Sequence, residues 1–298
     1  PLSSILGSLK EASLPIVAVT VCLTVAMIMI AGAYASTLAT IQGHAISAMR
    51  FAHISFTTLF YGLFLPGAIS GGLIRWQKLN QVRTDKARNA TIIAMGRLIS
   101  LLVASLVGIG CWVLDRRAGI QEGLVLMAAV AGLLSLYLVV MHSPVSGKLE
   151  QLLKNRFGKW RKLGDALLRI LRSFSEFYRT PKSDLLPLLA ISVSYHLCGV
   201  LAYYLFSTAL GLEVDPFALG WIRSYILMST LLPISFAGIG VREGLLTLLL
   251  PAYGVSLSAA VAFGLLLLLS RIVNGLIGAV LEADLLLRKR RASAVTVK

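Results

Sequence analysis

"LLPISFAGIGVREGLL", residues 231–246, sets Pro233, Gly238, Gly240, Arg242 and Glu243 into a stretch otherwise as apolar as a lipid tail. Whether this segment crosses a membrane once or enters and returns decides the topology of everything after it. The solvent comes first. Hydrophobic residues make up 57% of the 298-residue chain, charged residues only 14%, and the mean hydropathy is +0.83, far outside the range of soluble domains. Lipid is the solvent here, and the expected class is an all-α polytopic membrane protein.

Five apolar stretches are long enough to cross about 30 Å of hydrocarbon at about 1.5 Å per residue. They run from Pro15 to Tyr34, Ala90 to Leu114, Gly123 to His142, Leu185 to Leu210 and Val255 to Leu287. Two further apolar regions are interrupted: 51–74 by "LPGAISGG" and 218–250 by the opening segment. Proline and clustered glycines free backbone groups that lipid cannot satisfy, so such breaks survive only where protein or a water-filled cavity receives them.

The net charge of +15 is concentrated. Residues 75–88 hold five basic residues and one acidic, 143–182 hold ten and three, and "RKRR" stands at 288–291. The positive-inside rule puts all three in the cytoplasm, together with the C-terminus of a multi-pass cell-membrane protein. "DRRAGIQE" at 115–122 and the acidic "GLEVDP" at 211–216 suit the outside. If Leu185 to Leu210 runs outward and the last helix ends inside, 218–250 must enter and return on the outer side, since a single crossing would invert the last helix. The expected form is a re-entrant hairpin with "PISFAGIG" at its tip. The alternative is one crossing helix kinked at Pro233.

The two broken regions share a pattern. "PGAISGGLIR" (66–75) and "PISFAGIGVR" (233–242) both place a glycine five residues after proline and an arginine nine after it. The hairpin tips are thus Pro66 and Gly71 in the first, and Pro233, Gly238 and Gly240 in the second. Each precedes a helix with a further arginine, Arg97 in "GRLISLL" and Arg271 in "SRIVNGL". The charge argument runs the two helices in opposite directions, giving an inverted repeat: the first half about 15–114, an extra span at 123–142, a cytoplasmic amphipathic segment at 143–182, and the second half about 185–287. Transporters of this architecture place substrate between discontinuous elements near the midplane.

These motifs resemble the flippase-like transmembrane domain of lysylphosphatidylglycerol synthases and their stand-alone relatives. "GIGVREG" looks like that family's most recognisable motif, and "LPGAISGGLIR" is similar to its first-half motif. The resemblance runs from about Phe51 to Glu282. It implies handling of phospholipids or polyprenyl-linked lipids. Lysyl-transferring members carry a soluble catalytic domain after the membrane part, whereas this sequence ends soon after its last helix. Aminoacyl transfer is therefore not expected of these residues.

Arginine at the bilayer centre costs about 2.5–3.5 kcal/mol on insertion scales, so it faces the protein interior with a partner or a task. Arg271 lies 14 residues past Leu257 and 16 before Leu287, the deepest candidate. Arg97 lies seven residues from Ala90, within reach of headgroups, and Arg75 opens a basic loop. Arg242 and Glu243 are adjacent, about 100° apart on a helix, and are expected to pair poorly with each other. One reading has Glu243 neutralise Arg271 or a first-half arginine and lock the halves together. The other has Arg75, Arg97, Arg242 and Arg271 hold a lipid phosphate, for which the planar guanidinium fork is suited, while Glu243 releases and recaptures one of them. A half-helix starting after "AGIG" would aim free N–H groups at the same anion.

Tyr195 and His196, mid-span in the fourth crossing helix, are secondary candidates for a proton or headgroup contact, though a histidine there is more often a packing residue. Ser70, Ser235 and Asn274 are expected to bond the broken backbone. Trp76, Trp112, Trp221 and Tyr225 read as interface anchors. In 143–182, Leu149, Leu153, Phe157, Trp160, Leu163, Leu167, Leu171, Phe174 and Tyr178 recur at helical spacing between basic residues, as in a helix lying on anionic inner-leaflet lipids.

Several classes are disfavoured. Cys22, Cys111 and Cys198 lie in apolar stretches without metal-ligand spacing. No metal, cofactor or nucleic acid is expected, since neither a nucleophile–base pair, a nucleic-acid motif nor a phosphate loop is visible. The leading expectation is a non-enzymatic transporter or flippase of an anionic lipid. The alternative is a non-transporting partner that presents a lipid-linked substrate to a membrane glycosyltransferase or lipid-modifying synthase. With Pro1 rather than methionine at the start, what precedes it is left open.

Overall fold

Ten α-helices and one 3₁₀ turn make up the described part of the computed structural model, which covers residues 2–65, 68–141, 182–229 and 240–296. They are α1 (Leu2–Lys10), α2 (Leu14–Ile41), α3 (Ala48–Gly62), α4 (Ala68–Val82), α5 (Lys86–Leu114), α6 (Ile120–Met141), α7 (Lys182–Ala209), α8 (Pro216–Ser229), α9 (Val241–Leu249), the turn Leu250–Tyr253 and α10 (Leu257–Thr296). The protein is an all-α polytopic membrane protein. Four helices are long and apolar enough to cross a bilayer: α2, α5, α7 and α10. In α6 the apolar segment Gly123–Leu136 is shorter, and its side chains beyond 136 are outside the described set.

Helix limits exceed the apolar stretches because polar caps, not hydropathy, set them. The side chain of Asp85 accepts the N–H of Arg88 and starts α5 at Lys86, four residues before Ala90; Ser47 accepts the N–H of Arg50 and starts α3. The N-terminal α1, which hydropathy does not pick out, packs on α10.

Both broken regions fold as helical hairpins, not as single kinked helices. In the first, Gly71 of α4 faces Thr58 of α3, and Nη2 of Arg75 donates to Oγ of Ser55 at 3.3 Å, an antiparallel register. Each arm is 15 residues, about 22 Å, short of the hydrocarbon thickness. Both arms open at one end of the molecule, where Nη2 of Arg83 reaches the carbonyl of Ala45. The helix resumes at Ala68, so Gly71 sits within α4 against α3 and not at the tip; Pro66 lies outside the described residues. In the second hairpin, α8 and α9 open at the opposite end. There Nε1 of Trp221 lies 3.2 Å from the Tyr253 hydroxyl, and both bond the Asp115 carboxylate at the end of α5. Pro233, Gly238 and Ser235 lie outside the described residues, as does the amphipathic segment except Lys182.

The two hairpins therefore open at opposite ends of α5. Its start receives α4 through Trp76 Nε1 to the Lys86 carbonyl (2.9 Å) and Asn89 to Asn80 (2.8 Å); its finish receives α8 and the 250–253 turn. Packing is reciprocal: α3 lies on α10 as α8 lies on α5, and α2 packs on α7. Close approaches use small residues, as expected where lipid gives no hydrophobic reward and dispersion contacts decide. A Cβ on Gly278 would stand 2.1 Å from the Phe56 carbonyl oxygen, and one on Gly108 would stand 2.5 Å from Cβ of Ser224.

Two buried apolar clusters flank the middle. One gathers Phe206, Trp221, Ile222 and Phe263 toward the Asp115 end, the other Leu38, Phe51, Met95 and Leu188 toward the Arg83 end. Trp221 is thus a core residue, 2% exposed, and not an interface anchor, because the buried Asp115 carboxylate supplies its indole N–H with an acceptor away from the surface.

Candidate functional site

The functional candidates fall into two groups. In the first, Arg75 projects from α4 and has Arg97 of α5 and Tyr195 of α7 within electrostatic reach. Arg75 is half-buried on Ser55, while Arg97 is exposed on the protein's surface in the middle of α5. Arg97 lies 11 residues, about 17 Å, from the start of its helix. The polar residues Lys86, Arg88 and Asn89 occupy the first turn of α5, ahead of the apolar stretch that starts at Ala90.

The second group surrounds the start of α9. Gly240 takes φ +91° and ψ −50°, a conformation closed to residues with a side chain, and turns the chain into the helix. Glu243 then folds back. Its Oε2 accepts the Gly240 N–H at 2.7 Å, and its Oε1 accepts Nε (3.1 Å) and Nη2 (2.8 Å) of Arg242. Adjacent residues on a helix were expected to pair poorly, and here they do pair. The reason is local: a capping carboxylate curls toward the helix start, and the long arginine side chain reaches it there with two N–H groups. The N–H of Gly240 is thus taken by the protein's own carboxylate.

Arg271 joins this group from α10. It is half-buried, Arg242 and Glu243 lie within its electrostatic reach, and Nη2 comes within 3.9 Å of where a Cβ on Gly62 would stand. Gly62 ends the first arm of the other hairpin, so Arg271 stands where the second-half cluster meets the first half. It lies about 21 Å along α10 from Leu257. Gly264 of α10 admits the Glu243 side chain, whose Cγ would be 3.2 Å from a Cβ there.

Of the secondary candidates, Tyr195 belongs with Arg75, whereas His196 points elsewhere. It is buried between Ser100 Oγ (3.1 Å from Nε2) and Nη1 of Arg223 (3.3 Å from Nδ1). Asn274 donates to Thr24 Oγ1 at 2.9 Å and to the Ser270 carbonyl at 2.8 Å. It ties α10 to α2, and these two hydrogen bonds go to a side chain and to its own helix and not to a broken backbone.

Four residues were not singled out in the sequence. Arg223, at 5% exposure, is the most enclosed arginine among those described. Its signal is an arginine inside the apolar region 218–250, outside the proline–glycine motif. Asp115 follows the α5 span and looked like a loop residue. Lys78 and Glu282 form an ion pair between α4 and α10, with the Tyr61 hydroxyl donating to the same carboxylate at 3.4 Å. Their 204-residue separation left no pattern to read. Among the described residues no group of three His, Cys, Asp or Glu side chains is placed to hold a metal.

The comparisons with known proteins agree with this architecture. No curated protein and no solved structure matches the chain. The family described as the lysylphosphatidylglycerol synthase transmembrane region matches residues 2–278, which points to a function concerned with membrane lipids, and the chain belongs to that family.

Proposed function

We propose that this protein binds an anionic lipid headgroup at the Arg242–Glu243–Arg271 cluster and moves it between leaflets, without catalysing a reaction. One observation carries the reading. A carboxylate already sits in a cradle made by a bidentate guanidinium and a helix-start N–H, with a second arginine within electrostatic reach. A phosphate has the same complementarity and more oxygens, so it competes with Glu243 for Arg242. Exchange of the internal anion for the lipid's loosens α9 from its cap and gives the two states that alternating access needs. In this reading the two hairpins are re-entrant, the halves are inverted repeats, and Arg75 with Arg97 receives the headgroup at the other end of its passage.

Reconstitution into phosphatidylcholine vesicles containing labelled phosphatidylglycerol tests it. Wild type is expected to speed the loss of outer-leaflet label. Arg271→Ala is expected to slow that transfer at least about tenfold, about 1.4 kcal/mol of barrier. Equal transfer by wild type and Arg271→Ala overturns the site. Tight binding of the lipid without transfer instead favours a protein that presents lipid to a membrane glycosyltransferase or synthase.

A further inference from the structure

Arg223 takes no part in the clusters above, yet it is only 5% exposed. Its guanidinium lies flat on α7, where a Cβ on Gly199 would stand 2.3 Å from its Cζ, so only glycine leaves it a berth. A guanidinium has N–H donors and no acceptor. The 3.3 Å contact with His196 Nδ1 therefore requires that nitrogen to accept, which puts the ring proton on Nε2, facing Ser100 Oγ at 3.1 Å. His196 is neutral in this arrangement, and one N–H of Arg223 is satisfied by it.

Among the described residues no carboxylate lies within ion-pair distance of Arg223. Arg223 of α8 is the charged group acting on His196, and α5 contributes the neutral Ser100; α2 and α10 also pack on α7, and among the described residues neither brings a charge within reach of the ring. The titratable groups near Arg223 are Cys111 of α5 and Tyr203 of α7. A buried guanidinium held by one neutral ring and lacking an anion marks a place where an anion belongs.

We propose that Arg223, His196 and Ser100 form a second binding site, which takes a phosphodiester-type oxyanion together with one proton. The proton enters from solution and bonds to His196 Nδ1, breaking the Arg223 contact. Imidazolium and guanidinium then hold the anion between them, with the Ser100 hydroxyl beside them. Each ligand needs the other. The proton alone would set two cations 3.3 Å apart, and the anion alone would meet the Nδ1 lone pair. By linkage, the anion binds tighter as pH falls and raises the proton affinity of His196 equally. Tyr203 lies within electrostatic reach of both Arg223 and the Arg242–Glu243 pair, so the site adjoins the Arg242–Glu243–Arg271 cluster. The source of the anion as a lipid rests on the function proposed above; the proton linkage does not.

The test uses the full chain in detergent with two probes whose charge is constant between pH 5.5 and 7.5, dimethyl phosphate and dihexanoylphosphatidylglycerol. Affinity for at least one probe is expected to rise about tenfold or more from pH 7.5 to 5.5. In ¹⁵N-histidine spectra the His196 ring is expected to pass from the Nε2–H tautomer to the doubly protonated form when the probe binds. His196→Gln keeps an acceptor for Arg223 and cannot titrate, so its affinity should lose the pH dependence. Arg223→Gln should lose the pH-dependent binding, leaving only what the Arg242–Glu243–Arg271 cluster holds, and if that variant does not fold, His196→Gln decides. Preference for the lipid assigns the site to a headgroup, and equal affinity for both assigns it to phosphodiesters in general. A ring that stays neutral with probe present, an unaltered pH dependence in His196→Gln, or no binding of either probe overturns the proposal. Proton-linked binding without transfer between leaflets would sink the transport reading alone, and pH-independent binding with normal transfer would sink this one alone.

Discussion

At the scale of single residues, the start of α9 shows how one backbone position holds a site together. Gly240 reaches a φ of +91° that no L side chain adopts comfortably, although a Cβ there would meet nothing within 4 Å. The obstacle is conformational and not steric, so Gly240→Ala is expected to destabilise by about 1–3 kcal/mol. Four residues on, Gly244 lies inside the helix with open space around it, and Gly244→Ala is expected to stabilise by about 0.4–1 kcal/mol through the unfolded chain. Thermal unfolding of the two variants beside wild type checks the pair, and a Gly240→Ala protein as stable as wild type would show that the cap is not held by that turn. The arginine and glutamate of this motif were legible as functional types, because charge inside an apolar region is expensive wherever it occurs. Their geometry was not legible. An adjacency rule for helix interiors fails at a helix start, where side chains curl back over the first turn. Arg223 was missed for a different reason: it carries no accompanying motif, and only its burial beside Gly199 and His196 distinguishes it.

At the scale of elements, the hairpins and long helices follow from hydropathy broken by proline and glycine, and the charge pattern predicts their directions. What hydropathy does not contain is where helices touch. Gly278 and Gly108 carry no conformational signature and sit in ordinary helices, yet each admits a partner that a methyl would push away. Glycine therefore acts here as a missing volume, visible only from the neighbouring helix. At Gly278 the obstruction is backbone, the Phe56 carbonyl, which no rotamer change can relieve. Gly278→Ala is expected to separate α10 from α3 and cost about 1–3 kcal/mol. Gly110→Ala, on α5 with nothing within 4 Å, is the matched control and should leave the unfolding temperature unchanged or raised. Because Arg271 is about two turns from Gly278 and also faces α3 through Gly62, the same substitution should weaken lipid transfer more than it weakens stability. Equal stability of the Gly278 and Gly110 variants would show that α3 and α10 approach less closely than described.

At the scale of the molecule, the arrangement is fixed by which ends lie together. Arg83, Lys86 and Arg88 gather where α3 opens and α5 begins, while Asp115, Tyr253 and Trp221 gather where α5 finishes and α8 opens. Lys86 to Leu114 spans 29 residues, about 43 Å, so the two ends lie on opposite sides of any bilayer that α5 crosses. The hydrogen bond from the Ser13 N–H to the Ala209 carbonyl places the start of α2 with the end of α7, at the Asp115 end by the run of the chain. The positive-inside rule predicts the orientation of the whole from the excess of Lys and Arg, with the Arg83 end and Arg288 expected in the cytoplasm. Single cysteines introduced as Thr84→Cys, Glu213→Cys, Ser256→Cys and Arg288→Cys, in a background with Cys22, Cys111 and Cys198 replaced by alanine, test both statements at once. A membrane-impermeant maleimide added to intact cells is expected to label positions 213 and 256 and to reach 84 and 288 only after permeabilisation. Labelling with the sides exchanged would keep the opposed hairpins and reverse the charge rule. Labelling of 84 and 213 from the same side would break the opposition itself, and with it the reason for placing the two arginine groups at successive stations of one passage.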